Sequence, residues 1–325
     1  MADPDAQGEP APPPGFTGKT IYLDQSAISN IAKAKDAFWR DLHRELRLLL
    51  KRQVIACPCS PFHFEESVRS KDWGTELQAI CQELAGPYRF RPQEEIALTQ
   101  LRRALRSYLG EAEETLGKFF TEFCQYDAPT STERLPCSHN EPPLLTAQRV
   151  APTRAQDHGN FESSVATEIC RYAEEILQAY AAGETTAVRL LESLGKEVVR
   201  IRTDEPHPML VIGEFLRSEN VQKVPFLDIS SRLWATIAQH LYSTVKPRTL
   251  KPSDICDVQA ISYYGPYCDA MFVDNEFRKL ASQRNVDVPG RYGVRLFSET
   301  NRAQFKAFLD GLPLPGSGEN NIVGE

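Results

Sequence analysis

Four acidic residues carry the strongest chemical signal in this sequence: Asp24, Glu66, Asp257 and Asp274. Asp24 closes the apolar run Ile21-Tyr22-Leu23, and Asp274 closes Met271-Phe272-Val273. Glu66 lies on the helix expected after Val54-Ile55-Ala56, and Asp257 on the first turns of a helix that Ser253 is placed to cap. If the strands are parallel neighbours, all four carboxylates converge on one edge of the sheet, where parallel sheets place their functional residues. Converging carboxylates raise one another's pKa unless a cation compensates. Mg2+ or Mn2+ suits such a place, because a hard cation takes oxygen ligands and keeps positions for water and phosphate oxygens. The chemistry on offer is metal-assisted hydrolysis of a phosphodiester.

Structural roles compete for the same residues. Asp24 is also well placed as a helix N-cap, with Ser26 the alternative cap. Asp254 can serve the helix dipole beside Ser253, Asp269 can be a turn residue, and Asp274 can cap the helix that follows. Ser26, Asp254, Asp269 and Asn275 are therefore secondary candidates. His63 reads as a packing residue or a donor behind the site rather than a catalytic base. Positions 254 and 257 share a helix face, and the seventeen residues from Asp257 to Asp274 favour Asp257. Glu65 and Glu66 point about 100° apart on a helix, so only one can face the cluster.

The elements around these residues alternate. Thr20–Leu23 reads as a strand, followed by a helix from Ser26. Phe38 to Leu50 repeats Leu42, Leu46, Leu49 and Leu50 at helical spacing. Residues 74–125 read as helices, and 127–159, with five prolines, as a long loop. Helical periodicity returns over 161–180, through Leu190, Leu191 and Leu194, and over 229–241. Ser253 to Tyr264 is a helix stopped by Gly265-Pro266. Strand, helix, strand, helix then follow at 270–273, 277–281, 294–297 and 303–309. This pattern predicts an α/β fold with a parallel central sheet and a large helical insertion. The expected divisions are a leader at 1–18, a core formed by 19–89 and 221–312, an insertion at 90–220 and a tail at 313–325.

Composition limits the function classes. The net charge is −7, from 37 basic and 44 acidic residues, which argues against a bulk, sequence-blind nucleic-acid binder. The basic sets Lys33, Lys35, Arg40 and Arg102, Arg103, Arg106 read first as solvated helix faces and second as phosphate contacts. Tyr263, Tyr264 and Tyr267 read as core rather than as a base-stacking platform. None of the eight cysteines forms a CxxC pair, and Cys137 with His139 lacks a second pair to complete a zinc site. Reduced thiols in a cytoplasmic protein, with no membrane span, are expected.

Three segments, IYLDQSAISNI (21–31), CPCSPFHFEES (57–67) and SDICDVQAISYYGPYCDAMFVDNEF (253–277), together resemble the PIN domain and its bacterial PIN-like relatives. The first matches a strand ending in an acid with a small hydroxyl two residues on. The second carries an H-x-x-E run from His63 to Glu66, and the third a late helix with an acid, then a strand ending in an acid. Val273 departs from the Thr common before that last acid. The resemblance covers roughly the first 85 and last 105 residues. It implies a three-layer α/β/α core and a metal-dependent endonuclease, with single-stranded RNA the favoured substrate and Mg2+ or Mn2+ the cofactor. Asp24, Glu66, Asp257 and Asp274 would be its ligands, and a homodimer is compatible with it. The alternatives are a PIN-like module that binds RNA or protein without cleaving, and a metal-dependent nucleotide phosphatase.

Overall fold

The first strand, β1 (Lys19–Leu23), buries every residue after Lys19 and lies inside a parallel sheet. The computed structural model describes residues 16, 18–69, 72–112, 120–122, 161–241, 251 and 253–313. For residues 65, 66, 68, 69 and 120–122 it describes the backbone alone. The expected loop at 127–159 and the Cys137–His139 pair lie outside the described residues, as do nearly all of the leader and tail.

The chain runs β1, α1 (Gln25–Ala32), α2 (Ala37–Lys51), β2 (Ile55–Ala56), α3 (Pro61–Arg69), α4 (Gly74–Ala85), β3 (Tyr88–Phe90), α5 (Gln93–Tyr108) and β4 (Phe120–Glu122). It continues with α6 (Phe161–Ala181), α7 (Thr185–Ile201), α8 (Pro208–Arg217), α9 (Pro225–Leu241), α10 (Ser253–Tyr264), β5 (Ala270–Phe272), α11 (Asn275–Ala281), α12 (Val288–Tyr292), β6 (Arg295–Phe297) and α13 (Arg302–Asp310). The fold is mostly helical around a small sheet of order β2-β1-β5-β6, in which every pairing is parallel. It belongs to the α/β class.

Side chains alternate across the sheet, and both faces are covered, as a parallel sheet requires. Ile21, Leu23, Ala270 and Phe272 share one core with Ile28 and Ile31 of α1, Trp39, Leu42 and Leu46 of α2, and Phe305 of α13. Tyr22, Met271 and Leu296 join the opposite core with Leu233 of α9 and Val258 and Ile261 of α10. Helix α2 shows why such elements form. Asp36 accepts from the Trp39 N–H at 3.2 Å, and Trp39, Leu42, Leu46 and Leu49 make one buried stripe. Phe272 meets Trp39 and Phe305 edge-on, so truncating it to Ala should cost about 3–5 kcal/mol.

A third core joins α5, α6, α7 and α8 through Leu101, Ile169, Leu194 and Phe215. Helix α5 also reaches the sheet's surroundings. Gln100 donates from Nε2 to the Tyr267 hydroxyl and accepts the Phe226 N–H, both at 2.8 Å. Another tie is Asp228 of α9, whose carboxylate receives Arg232, Arg291 and the Tyr292 hydroxyl at 2.8–2.9 Å.

Three readings of the sequence need correction. Residues 74–125 are not helical throughout, because β3 and β4 pair antiparallel, Tyr88 opposite Glu122 and Phe90 opposite Phe120. Strands of three residues are too short to show a two-residue period. Helix α8 escaped the periodicity reading although Pro208 sits at its start, a position proline favours. Ser253 is the first residue of α10 rather than its cap. Among the described residues, no helix is long and apolar enough to cross a membrane.

Candidate functional site

The strand order places a switch point at β1. The chain leaves β1 for β2 on one side, while β5 lies on the other. Connections diverging in this way open a crevice at the carboxyl ends of the strands. A cleft of about 200 Å3 lies there, and its lining includes Asp24, Asp254, Asp257 and Asp274.

Asp24 follows β1, and its N–H donates to the Phe272 carbonyl of β5 at 2.9 Å, which locks the two strand ends together. Its carboxylate Oδ1 caps α1 by accepting from the Ala27 N–H at 2.9 Å and from the Ser26 hydroxyl at 2.7 Å. The capping role and the cleft position therefore coexist in one carboxylate. Asp24 is 8 % exposed. Burial pushes its carboxyl up to about 6; the Ser26 and Ala27 bonds oppose this, and the nearby Asp274 charge adds to it. Asp274 is exposed, caps α11 through the Glu276 N–H at 2.7 Å, and lines the same cleft. Among the described residues, no basic side chain forms an ion pair with Asp24.

Helix α10 contributes both of its early aspartates. Asp254 is 1 % exposed, and its Oδ2 accepts the Lys251 N–H at 2.7 Å, which holds the chain entering the helix. Asp257 is half-buried one turn on. The structure thus brings both to the cleft and separates them by task, since one Asp254 oxygen already holds the helix start.

Glu66 lies on α3, one turn beyond Phe62, which lines the cleft. Its side chain lies outside the described parts. His63 of the same helix is buried beneath Asp24. Its Nδ1 accepts the Ser60 N–H at 2.9 Å, so Nε2 carries the ring proton and donates to the Leu23 carbonyl at 2.5 Å. Burial pushes this imidazole down to about 4, against the pull of that carbonyl. His63 is therefore a neutral clamp on the peptide that presents Asp24. Ser67 donates to the His63 carbonyl at 2.6 Å and accepts from Gln25 Nε2 at 3.0 Å, tying α3 to α1.

Other expected residues fall elsewhere. Asp269 precedes β5, so it stands at the opposite, amino edge of the sheet. There it accepts the Thr20 N–H at 2.7 Å and pairs with Lys19 at 2.8 Å. Asn275 accepts from Ser298 and Thr300 and is not in the cleft lining. Tyr264 and Tyr267 are buried, and Tyr263 stacks on Phe226 at 4.9 Å. Lys33 lies over Trp73, Lys35 pairs with Glu299, and Arg106 pairs with Glu197. None of the basic residues expected to meet phosphate lines the cleft, and neither does any described residue from 90–220. The six described cysteines form no disulfide.

Two charged residues of the lining were not singled out in the sequence, Lys251 and Glu276. Glu276 stands two positions beyond Asp274, a spacing that could have marked it. Lys251 had no such signal, because only the fold carries it to the cleft.

Among the described residues, no three His, Cys, Asp or Glu side chains are grouped closely enough to hold a metal ion. Comparison with protein-family models, with curated proteins and with solved structures finds no match in any of the three.

Proposed function

We propose that this chain is a metal-dependent endonuclease with a PIN-like core that cleaves single-stranded RNA. The observation that carries the reading is that Asp24, Asp257 and Asp274, from three separate elements, line one cleft at the switch point of a parallel sheet. The donor set suits a hard cation, being carboxylate oxygen throughout. Asp24, raised to about 6 by burial and by Asp274, is a charge that a cation would stabilise.

Asp24, Asp257 and Asp274 line the cleft without standing close enough to close on an ion as they are, so they, with Glu66 of α3, would hold Mg2+ or Mn2+ only by drawing in around it. Such an ion, when bound, supplies charge neutralisation at a scissile phosphodiester and lowers the pKa of water. The chain's own residues arrange the site. The Ser26 hydroxyl and the Ala27 N–H orient Asp24, His63 fixes the peptide before it, and Asp254 anchors the start of α10. Tyr22, Phe62 and Phe277 line the same cleft with aromatic surface.

The test is incubation of the pure protein with labelled single-stranded RNA, single-stranded DNA and duplex, in Mn2+, Mg2+ or EDTA. RNA cleavage that needs the cation is expected. Cleavage that survives EDTA would overturn the metal site. RNA binding without cleavage would favour the non-catalytic module, and phosphate release from mononucleotides alone would favour a phosphatase.

A further inference from the structure

The cleft lining holds five carboxylates, from Asp24, Asp254, Asp257, Asp274 and Glu276, and, among the described residues, one cation, Lys251. A polyanion approaching such a surface meets repulsion everywhere except at that ammonium. Its position is built rather than incidental. The Lys251 N–H is held at 2.7 Å by the buried Asp254, and the Lys251 Nζ lies 3.3 Å from Glu276 Oε2. The Glu276 N–H is in turn held at 2.7 Å by Asp274. Each partner of this ion pair is thus fixed through its backbone to a cleft aspartate, while the two side chains stay well exposed, at 61 % and 38 %. An exposed pair of this kind contributes little to stability, so another anion exchanges into it readily.

We infer that Lys251 is the residue that positions the substrate's backbone phosphate at the cleft mouth, and that Glu276 occupies it as a stand-in until a phosphodiester displaces the carboxylate. The nuclease reading enters only in naming the anion as RNA. The exchange needs no covalent step. The Lys251 ammonium leaves a carboxylate oxygen for a phosphate oxygen, and Glu276 turns to solvent. Lys251 acts on position, whereas the aspartates act on the cation, so the two contributions separate experimentally.

The experiment is fluorescence anisotropy of a labelled single-stranded RNA with phosphorothioate linkages, titrated with the full chain in Mg2+ at several salt concentrations. Lys251→Met should bind about tenfold more weakly, the loss of one charge-assisted hydrogen bond. The slope of log affinity against log salt should fall by about 0.7, one phosphate contact on a single strand. Lys251→Arg should keep most of the affinity, and Glu276→Gln should bind more tightly than the native chain. Melting curves of all three variants should match the native one. Equal binding by Lys251→Met, an unchanged salt slope, no tightening by Glu276→Gln, or no RNA binding by the native chain would each overturn the inference. Failure of the nuclease reading is a different result, namely binding with this full pattern but no cation-dependent cleavage.

Discussion

Two buried aspartates of this chain sit in opposite electrostatic settings. Asp228, 3 % exposed, receives two arginines and a tyrosine hydroxyl, each at 2.8–2.9 Å. Asp24, 8 % exposed, accepts the Ser26 hydroxyl and the Ala27 N–H, and has a second acid, Asp274, for company. The first arrangement neutralises its charge with the protein's own cations and ties α9 to α12. The second keeps a carboxyl raised to about 6 at the edge of a cleft. Among the described residues, two arginines serve Asp228 and none pairs with Asp24, the imbalance on which the proposed site rests.

The largest expected effect breaks the Asp24 side of this contrast. Asp24→Asn and Asp274→Asn keep the shapes of both caps and remove the charges. Cleavage should fall on the order of a thousandfold, about 4 kcal/mol of activation free energy. Asp257→Asn and Glu66→Gln should match them, while Glu65→Gln should leave cleavage near the native rate. Initial rates on labelled RNA, with circular dichroism to check folding, decide this. Cleavage retained in Asp24→Asn would remove Asp24 from the site.

Asp228→Ala tests the other side. It leaves Arg291, which is 41 % exposed, and Arg232, which keeps Glu162, without their shared acceptor, so about 2 kcal/mol should be lost. Urea unfolding should show a lower midpoint with an unchanged slope. A native midpoint would mean that solvent compensates those arginines.

A third test uses pH, in EDTA. The Asp24 carboxyl rises from 3.8 to about 6 on folding, so the folded state holds the proton longer and stability falls as pH rises through that window. The His63 imidazole falls from 6.5 to about 4, so its contribution is complete above pH 6.5 and is lost as pH drops towards 4. Each is worth roughly 3 kcal/mol with opposite sign, so they largely cancel between pH 4 and 6 in the native chain. Asp24→Asn removes one slope, and its melting temperature should drop steeply on acidification where the native one stays nearly level. Parallel curves would refute both assignments.

The smallest effect concerns the acid on the other sheet edge. Asp269→Asn weakens a half-exposed ion pair and one backbone contact, so about 1 kcal/mol should be lost, with cleavage unchanged. An inactive Asp269→Asn would return that residue to the candidate site.

Most of the sheet and its flanking helices were legible in the sequence, because the apolar runs ending at Asp24 and Asp274 and the repeat of Leu42, Leu46 and Leu49 reflect burial directly, although Leu50 of that repeat is only half-buried and the buried Trp39 was not read. The β3–β4 hairpin was not, since three residues carry no usable period and their pairing spans a long stretch of chain. Asp269 could have been set aside sooner. An acid before a strand and an acid after it must lie at opposite edges of a parallel sheet, and Asp269 and Asp274 bracket β5. The Lys251–Glu276 pair was beyond reach, because the two residues meet through tertiary packing and lie within no shared motif.

The order of strands along the chain also has a consequence for synthesis. Asp24 is made before the other acids of the cleft, and its neighbour in the sheet, β5, follows some 250 residues later. At roughly 5–20 residues per second, a ribosome needs from about ten seconds to most of a minute to cross that interval. During it β1 has no β5 beside it, and Asp257, Asp274 and the whole far wall of the cleft do not yet exist. Until β5 and the residues around it have been made, a nascent chain is therefore unable to assemble these acids, however early β1 leaves the ribosome.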